Sequence, residues 1–407
     1  MRILSILILS ILSLNTGCAE KKVENVEQEQ KEFSAPPIRT GAERMEFYLP
    51  SLAGKKVAVC GNQTSRVGST HLVDTLLASG VEVVKIFCPE HGFRGEAEAG
   101  AAINSSIDQK TGIPIISLYG NNKKPTAAQM SGIDILIFDI QDVGCRFYTY
   151  ISTLHYVMES AAENNVLLYI LDRPNPNGYF IDGPVLDMKY HSFVGMHPVP
   201  VVHGMTIAEY AQMINGEKWL KNGVKCKLWI IPVENWNHSM RYSLPYPPSP
   251  NLQTDEAIYL YPSLCFFEGT AVSLGRGTTL PFQIYGHPAF KEGDFIFTPQ
   301  PIKGVSENPP LKGLKCKGYN LTDWAHSQLN GENKIHLSFL LNACKQMPKE
   351  VTFFTSPDFF DKLAGNSTLR EQITQGLSES EIRNSWLYDL RVFKAKRADY
   401  LLYPDFE

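Results

Sequence analysis

Between residues 55 and 233, short apolar runs rich in β-branched residues alternate with amphipathic stretches, a pattern that few folds satisfy. The runs lie at 57–60, 81–88, 113–119, 134–140, 166–171 and 228–233. Among the stretches between them, 70–79 carries Leu72, Leu76 and Leu77 on one stripe. The segment 147–164 repeats apolar residues at Phe147, Tyr150, Ile151, Leu154, Val157, Met158 and Ala161, which is the 3.6-residue period of a helix. Strands of this kind alternating with helices build a mostly parallel sheet covered on both faces. The fold class that follows is α/β, with a Rossmann-like sheet.

The alternation stops near residue 242, and the stretch from Tyr242 to about Pro262, with Tyr-Pro-Pro-Ser-Pro-Asn-Leu at 246–252, reads as a loop, since proline is excluded from helix interiors and central strands. Beyond it the chain mixes strand-like runs at 295–297 and 352–355 with helical ones at 336–344 and 368–376, and ends in a Lys-, Arg- and Tyr-rich stretch at 391–402. This pattern predicts a Rossmann-like catalytic domain over 41–262 and a smaller α+β auxiliary domain over 263–407.

The chain opens with Met1-Arg2 and an apolar Leu/Ile/Ser run at 3–14, shorter than the roughly 20 residues needed to span a bilayer. This reads as a signal peptide over 1–18. Asn15-Thr16-Gly17-Cys18 followed by polar residues resembles a bacterial lipoprotein signal, with Cys18 as the lipidated N-terminus; Asn15 stands where that pattern prefers Leu. Ordinary secretion is the competing reading. Residues 19–40 are a Glu/Gln/Lys-rich tether. The expected location is the cell envelope, on the periplasmic side or the outer surface. Seven cysteines remain of the 8; Cys60, Cys88 and Cys226 adjoin apolar runs and no CxxC occurs, which favours buried thiols over a disulfide framework or a zinc site.

A formal net charge of −4 gives no electrostatic basis for nucleic-acid binding. The first strand is followed by Gly61-Asn62-Gln63-Thr64-Ser65 rather than GxGxxG, and no phosphate loop occurs, so no dinucleotide cofactor is expected. His91, His203 and His287 are scattered and no HxH or HExxH is present, so no metal is expected either.

Ligands of an open parallel sheet bind beyond the carboxyl ends of its strands. Those ends carry Asn62; then Glu90, His91, Arg94 and Glu96; then Asp139, Asp142 and Arg146; then Asp172 and Arg173. Such a concentration of carboxylates suits glycoside hydrolysis, which needs an acid for the leaving oxygen and a stabiliser for the oxocarbenium ion. Glu90 and Glu96, flanking a Gly-Phe-Arg-Gly turn, and Asp139 with Asp142 are the candidates. A non-catalytic sugar-binding lipoprotein is the second reading, although binders use fewer acids.

Six ordered motifs then carry a resemblance: Pro-Glu-His-Gly-Phe-Arg-Gly-Glu (89–96), Phe-Asp-Ile-Gln-Asp-Val-Gly-Cys-Arg-Phe-Tyr-Thr-Tyr-Ile-Ser-Thr (138–153), Leu-Asp-Arg-Pro-Asn-Pro (171–176), His-Gly-Met-Thr (203–206), Pro-Pro-Ser-Pro-Asn (247–251) and Glu-Gly-Thr with Gly-Arg-Gly-Thr (268–278). Together they resemble the exo-β-N-acetylmuramidase (NamZ-type) family of peptidoglycan hexosaminidases. Cys145 is a departure, standing where that pattern has Ala. The resemblance implies a Rossmann-like domain with an auxiliary domain and a cleft between them. It also implies release of terminal, non-reducing N-acetylmuramic acid from peptidoglycan fragments, with Glu90 as the acid. Glu96 and Asp142 are the further catalytic candidates, Glu96 alternatively pairing with Arg94.

The substrate's own acetamide can stabilise the oxocarbenium ion if Asp139, Asp142 or Asn62 orients it. The lactyl carboxylate of muramic acid calls for a cation in fork geometry, from Arg94, Arg146, Arg173 or Arg276, the last between two glycines whose amides suit an anion. His91, Asp172, His203 and Asn251 complete the expected sugar contacts, Asn251 in a proline-rich wall with Tyr242 and Tyr246.

Overall fold

The computed structural model describes residues 36–90, 92–94, 106–329 and 331–407. All six predicted runs are strands of one sheet: β1 (Lys56–Gly61), β2 (Glu82–Cys88), β4 (Pro114–Ser117), β5 (Ile135–Asp139), β6 (Leu167–Leu171) and β7 (Leu228–Ile231). A two-residue strand, β3 (Ser106–Ile107), adds an antiparallel edge and gives the order β3-β4-β2-β1-β5-β6-β7. The other six pair in parallel, with β1 at the centre: Cys60 faces Phe87 of β2 on one side and Phe138 of β5 on the other. Chain connections leave β1 in one direction toward β2 and β4, and the other direction is taken by β5, β6 and β7. Ligands of such sheets bind at this reversal of order.

Period-two alternation divides the strand side chains between two cores. Val57, Val59, Ile86, Ile135, Ile137 and Leu171 pack beneath α1 (Leu72–Ala78) with Tyr48 and Leu52. Ala58, Cys60, Phe87, Leu136, Phe138 and Ile170 face α2 (Tyr150–Glu163) and α3 (Ile207–Gly216), in a larger core that continues without a break into the C-terminal third through Phe266, Phe267, Leu340, Phe360 and Phe393. Residues Ile38–Glu407 accordingly pack as one compact unit.

The proline-rich stretch is a loop only as far as Thr254, the side-chain cap of α4 (Asp255–Leu264), and Pro262 lies inside that helix. Proline there removes the hydrogen bond that the carbonyl four residues earlier would accept. That carbonyl, on Ile258, instead accepts from Asn177 Nδ2 at 3.3 Å. Residue 262 therefore lies within continuous helix.

In the C-terminal third, β8 (Ile284–His287), β9 (Phe295–Phe297) and β10 (Cys316–Asn320) form an antiparallel sheet in the order β8-β10-β9. The helices α5 (Leu337–Gln346), α6 (Pro357–Ala364), α7 (Thr368–Thr374), α8 (Glu379–Asn384) and α9 (Leu387–Ala398) follow it in the chain. The run at 352–355 is not a strand, contrary to expectation. Its backbone bond to another segment is Ala271 N–H to the Phe353 carbonyl at 2.8 Å, and no strand among the described residues offers a ladder there.

Candidate active site

A cavity of about 520 Å³ opens at the carboxyl edge of the large sheet. Glu90 enters it two residues after β2, Tyr119 from the loop after β4, and Phe147–Tyr150 from the start of α2 beyond β5. Ser249 and Asn251 come from the proline-rich loop, Tyr261 from α4, and Glu268, Arg276, Phe282 and the 305–310 segment from further along the chain. The rings pack edge to face in series: Tyr150–Tyr148 at 4.9 Å between centroids, Tyr148–Tyr261 at 5.6 Å and Tyr261–Phe282 at 5.0 Å. The result is a rigid aromatic wall against which the C–H face of a pyranose can lie.

Glu90 stands between two phenols. Tyr119 donates its hydroxyl to the Glu90 carboxylate, and burial with this charge pushes the Tyr119 pKa up to about 12. Burial, with a smaller effect of Glu90, raises the Tyr150 pKa as well, so both phenols stay protonated donors. The Tyr150 hydroxyl is fixed from behind, accepting from Asn62 Nδ2 at 3.0 Å and donating to the Pro248 carbonyl at 3.1 Å. Asn62 is itself locked: its Oδ1 accepts from the Thr64 amide and hydroxyl at 2.9 and 2.6 Å. It is therefore a positioning residue for Tyr150, and it does not line the cavity.

Opposite elements supply a second carboxylate that the sequence reading passed over. Glu268 and Arg276 both line the cavity, and Arg276 donates Nε and Nη2 to one oxygen of Glu268, Oε1, at 2.8 and 2.5 Å. Burial opposes the charge on Arg276, but Glu268 outweighs it and raises the Arg276 pKa. The guanidinium lies 5.0 Å from the Phe282 ring centroid. Gly275 and Gly277 on either side have φ of +86° and +78°, and a Cβ on either would strike backbone within 2.6 Å, so the bend that presents Arg276 requires both. The signal was present in the Glu-Gly-Thr motif. So was that for Tyr148 and Tyr150, in the aromatic half of 138–153.

Of the expected site residues, the cavity is lined by Glu90, Asn251 and Arg276. Several others are scaffold. Asp139 and Arg173 form a buried bidentate pair (2.6 and 2.9 Å) that locks the end of β5 to the loop after β6. Asp172 accepts from the Ala208 amide at 3.0 Å and the Tyr403 hydroxyl at 2.5 Å, holding the start of α3 and the C-terminal tail; burial pushes its pKa up to about 6. Arg146 meets no carboxylate among the described residues: it donates to the carbonyls of Pro184, Val199 and Leu363 at 2.7–2.8 Å. Arg94 pairs with Asp108 at 2.9 and 3.0 Å. His203 is buried, and burial pushes its pKa down to about 3, so it is neutral.

Asp142 lies beneath the cavity wall, its Oδ2 accepting from the Gly144 amide at 2.7 Å. Burial pushes its pKa up to about 7 against that bond. His91, Glu96 and Cys18 lie outside the described residues. Among the described residues no three His, Cys, Asp or Glu side chains group as metal ligands.

Two glutamates in an aromatic-walled cavity at the switch point of a Rossmann-like sheet are the equipment of a carbohydrate-cleaving enzyme. Comparison with known proteins narrows the class. The family described as Exo-beta-N-acetylmuramidase NamZ matches with its N-terminal part over residues 57–256 and its C-terminal part over 259–403. A Bacillus subtilis (strain 168) protein, Peptidoglycan beta-N-acetylmuramidase NamZ, is 37% identical over 393 residues, covering 90% of this chain and 92% of its own. Two crystal structures of DUF1343 family proteins from Bacteroides fragilis NCTC 9343 are similar, with TM-scores of 0.83 and 0.76 and identities of 46% and 28%. Each covers 91% of this chain and 100% of its own. The chain belongs to the exo-beta-N-acetylmuramidase NamZ family of glycosidases.

Proposed function

We propose that this enzyme releases terminal, non-reducing, β-linked N-acetylmuramic acid from peptidoglycan fragments, with Glu90 as general acid. The carrying observation is the placement of Glu90: a carboxyl in the aromatic-walled cavity, hydrogen-bonded by Tyr119. In this reading Glu90 gives its proton to the leaving glycosidic oxygen as the C1–O bond breaks. Tyr119 fixes the carboxyl, and Tyr148, Tyr150 and Tyr261 support the ring. Arg276 supplies the cation for the lactyl carboxylate, because it lies in the cavity whereas Arg146 and Arg173 are spent inside the scaffold. Cys18 tethers the enzyme through lipid to the cell envelope, where peptidoglycan fragments are met.

The test compares a chromogenic β-N-acetylmuraminide with its β-N-acetylglucosaminide, using wild type and Glu90→Gln. Release from the muraminide that falls at least a hundredfold in Glu90→Gln is the expected result, in line with the 10²–10⁴ typical of general acids. Undiminished release by the variant would move the acid elsewhere. Binding of the muraminide without release by the folded wild type would leave a sugar-binding protein.

A further inference from the structure

Resting on that reaction, we infer that the Glu268–Arg276 pair recognises the two substituents that distinguish muramic acid together, and that Glu268 takes part in the chemistry by holding the substrate's acetamide. The pair is asymmetric. Arg276 spends Nε and Nη2 on Oε1 of Glu268, and Nη1 makes no hydrogen bond among the described residues. The other oxygen, Oε2, has, among the described residues, only the Cys265 thiol at 4.0 Å. Each partner thus anchors the other with one edge and keeps a second edge for something else. Both side chains remain about a fifth exposed, at 21% and 24%, and both line the cavity. A negative acceptor and a positive donor are presented side by side.

N-acetylmuramic acid carries the matching pair on adjacent carbons: an acetamide N–H donor at C2 and a lactyl carboxylate at C3. A lone arginine would recognise the carboxylate; only a joined acceptor and cation matches both at the spacing of vicinal substituents. Behind the pair lies a second cavity of about 280 Å³, which shares Glu268, Arg276, Pro310 and Phe359 with the first and is walled by Phe267, Val272 and Leu274. It offers apolar room for the methyl groups that both substituents end in.

With the acetamide N–H held by Glu268 Oε2, the acetamide oxygen is turned toward C1. It attacks C1 as the bond to the leaving oxygen breaks; Glu90 gives that oxygen its proton, and the acetamide nitrogen passes its own to Glu268, leaving a neutral oxazoline. Water then adds to C1 from the vacated face and gives a proton to Glu90. The oxazoline C1–O bond breaks, and the nitrogen takes its proton back from Glu268. One glycosidic bond and one water are consumed, and the configuration at C1 is retained.

Three measurements on the full-length enzyme test this. Proton NMR of the first turnovers should show the β anomer of N-acetylmuramic acid; the α anomer appearing first overturns the inference. Across mono-, di- and trifluoroacetyl analogues of the muraminide, wild-type kcat should fall at each step by several-fold, as the acyl oxygen becomes a poorer nucleophile; a flat series overturns it, and this readout needs no variant. Glu268→Gln, checked for folding by its thermal midpoint, should lower kcat at least a hundredfold, with Glu268→Asp partly restoring it. Activity within threefold of wild type overturns the role. If Glu268→Ala with azide yields a glycosyl azide, Glu268 is instead a covalent nucleophile and the acetamide route falls. Any of these failures, with wild type still cleaving the muraminide through Glu90, removes this inference alone; a wild type that releases no muramic acid removes both.

Discussion

Asp142→Asn separates a scaffold carboxylate from a catalytic one. The side chain is enclosed, with Oδ2 on the Gly144 amide at 2.7 Å and Oδ1 buried without a hydrogen-bond partner among the described residues. Gly144, at φ +74°, closes the turn against Asn175, whose side chain a Cβ would meet at 2.3 Å, so the carboxyl cannot swing into the cavity by relaxing that loop. Burial pushes the Asp142 pKa from 3.8 up to about 7. In the unfolded chain the group ionises near 3.9. Between those values the native protein keeps a proton that the unfolded chain has lost, so this group favours the native state most at low pH. The advantage is lost as pH rises through 4 to 7, and above about 7 the folded protein carries a buried charge. At ~1.4 kcal/mol per pH unit, a displacement of about three units amounts to on the order of 4 kcal/mol.

Asparagine is neutral at every pH. Its stability relative to wild type should therefore start near zero at pH 4 and grow with pH to at most a few kcal/mol in its favour by pH 8. Urea unfolding followed by tryptophan fluorescence measures this. Taking the difference between variant and wild type cancels the buried histidines, such as His71 and His155, whose pKa values burial pushes down to about 4. A difference that does not change with pH would refute the assignment. Because Asp142 does not line the cavity, the variant should also cleave the muraminide within threefold of wild type; a hundredfold loss would return Asp142 to the chemistry.

Arg173→Met should destabilise the protein by about 3–5 kcal/mol at pH 7, since it strands Asp139 as a buried, uncompensated charge. Part of that loss should return at pH 5, where Asp139 can fold protonated; urea midpoints at the two pH values check this, and a loss below about 1 kcal/mol would refute it. Cys18→Ser should move the protein expressed with its own leader from the detergent phase to the aqueous phase on detergent partitioning, and a variant that stays in the detergent phase would rule out the lipid anchor.

What could be read from the sequence follows how local each signal is. Every strand of the parallel sheet was legible, because a continuous apolar run is a local consequence of burial on both faces. The run at 352–355 carried the same local signal, yet no partner strand lies beside it among the described residues. Pro262 misled in the opposite direction, since the helix tolerates it only because Asn177, far away in sequence, occupies the Ile258 carbonyl. At the site, position was legible and orientation was not. A carboxylate at a strand end can face the cavity, as Glu90 does, or turn inward to an arginine, as Asp139 does, and the local sequence is equally compatible with both. Glu268 escaped because what makes it interesting is its contact with Arg276 and its place across the cavity from the sheet edge.

The segment 138–153 explains why so many polar residues gather at an edge where so few touch the cavity. Its first half is spent on fixing backbone: Asp139 on Arg173, Gln141 on the Pro174 carbonyl at 2.8 Å, Asp142 on Gly144. Arg146 then ties together the carbonyls of Pro184, Val199 and Leu363, the last on α6. Its second half, Phe147–Tyr150, is the aromatic floor of the cavity, and α6 carries Phe359 on the far side. A floor built on a loop keeps its geometry only if the loop has little freedom to move, and a buried arginine bound to three carbonyls on three segments removes that freedom from both walls together. The polar residues before Phe147 therefore act on the sugar site through the backbone they hold, leaving Glu90, Glu268 and Arg276, among the described residues, as the charged groups placed to meet the substrate.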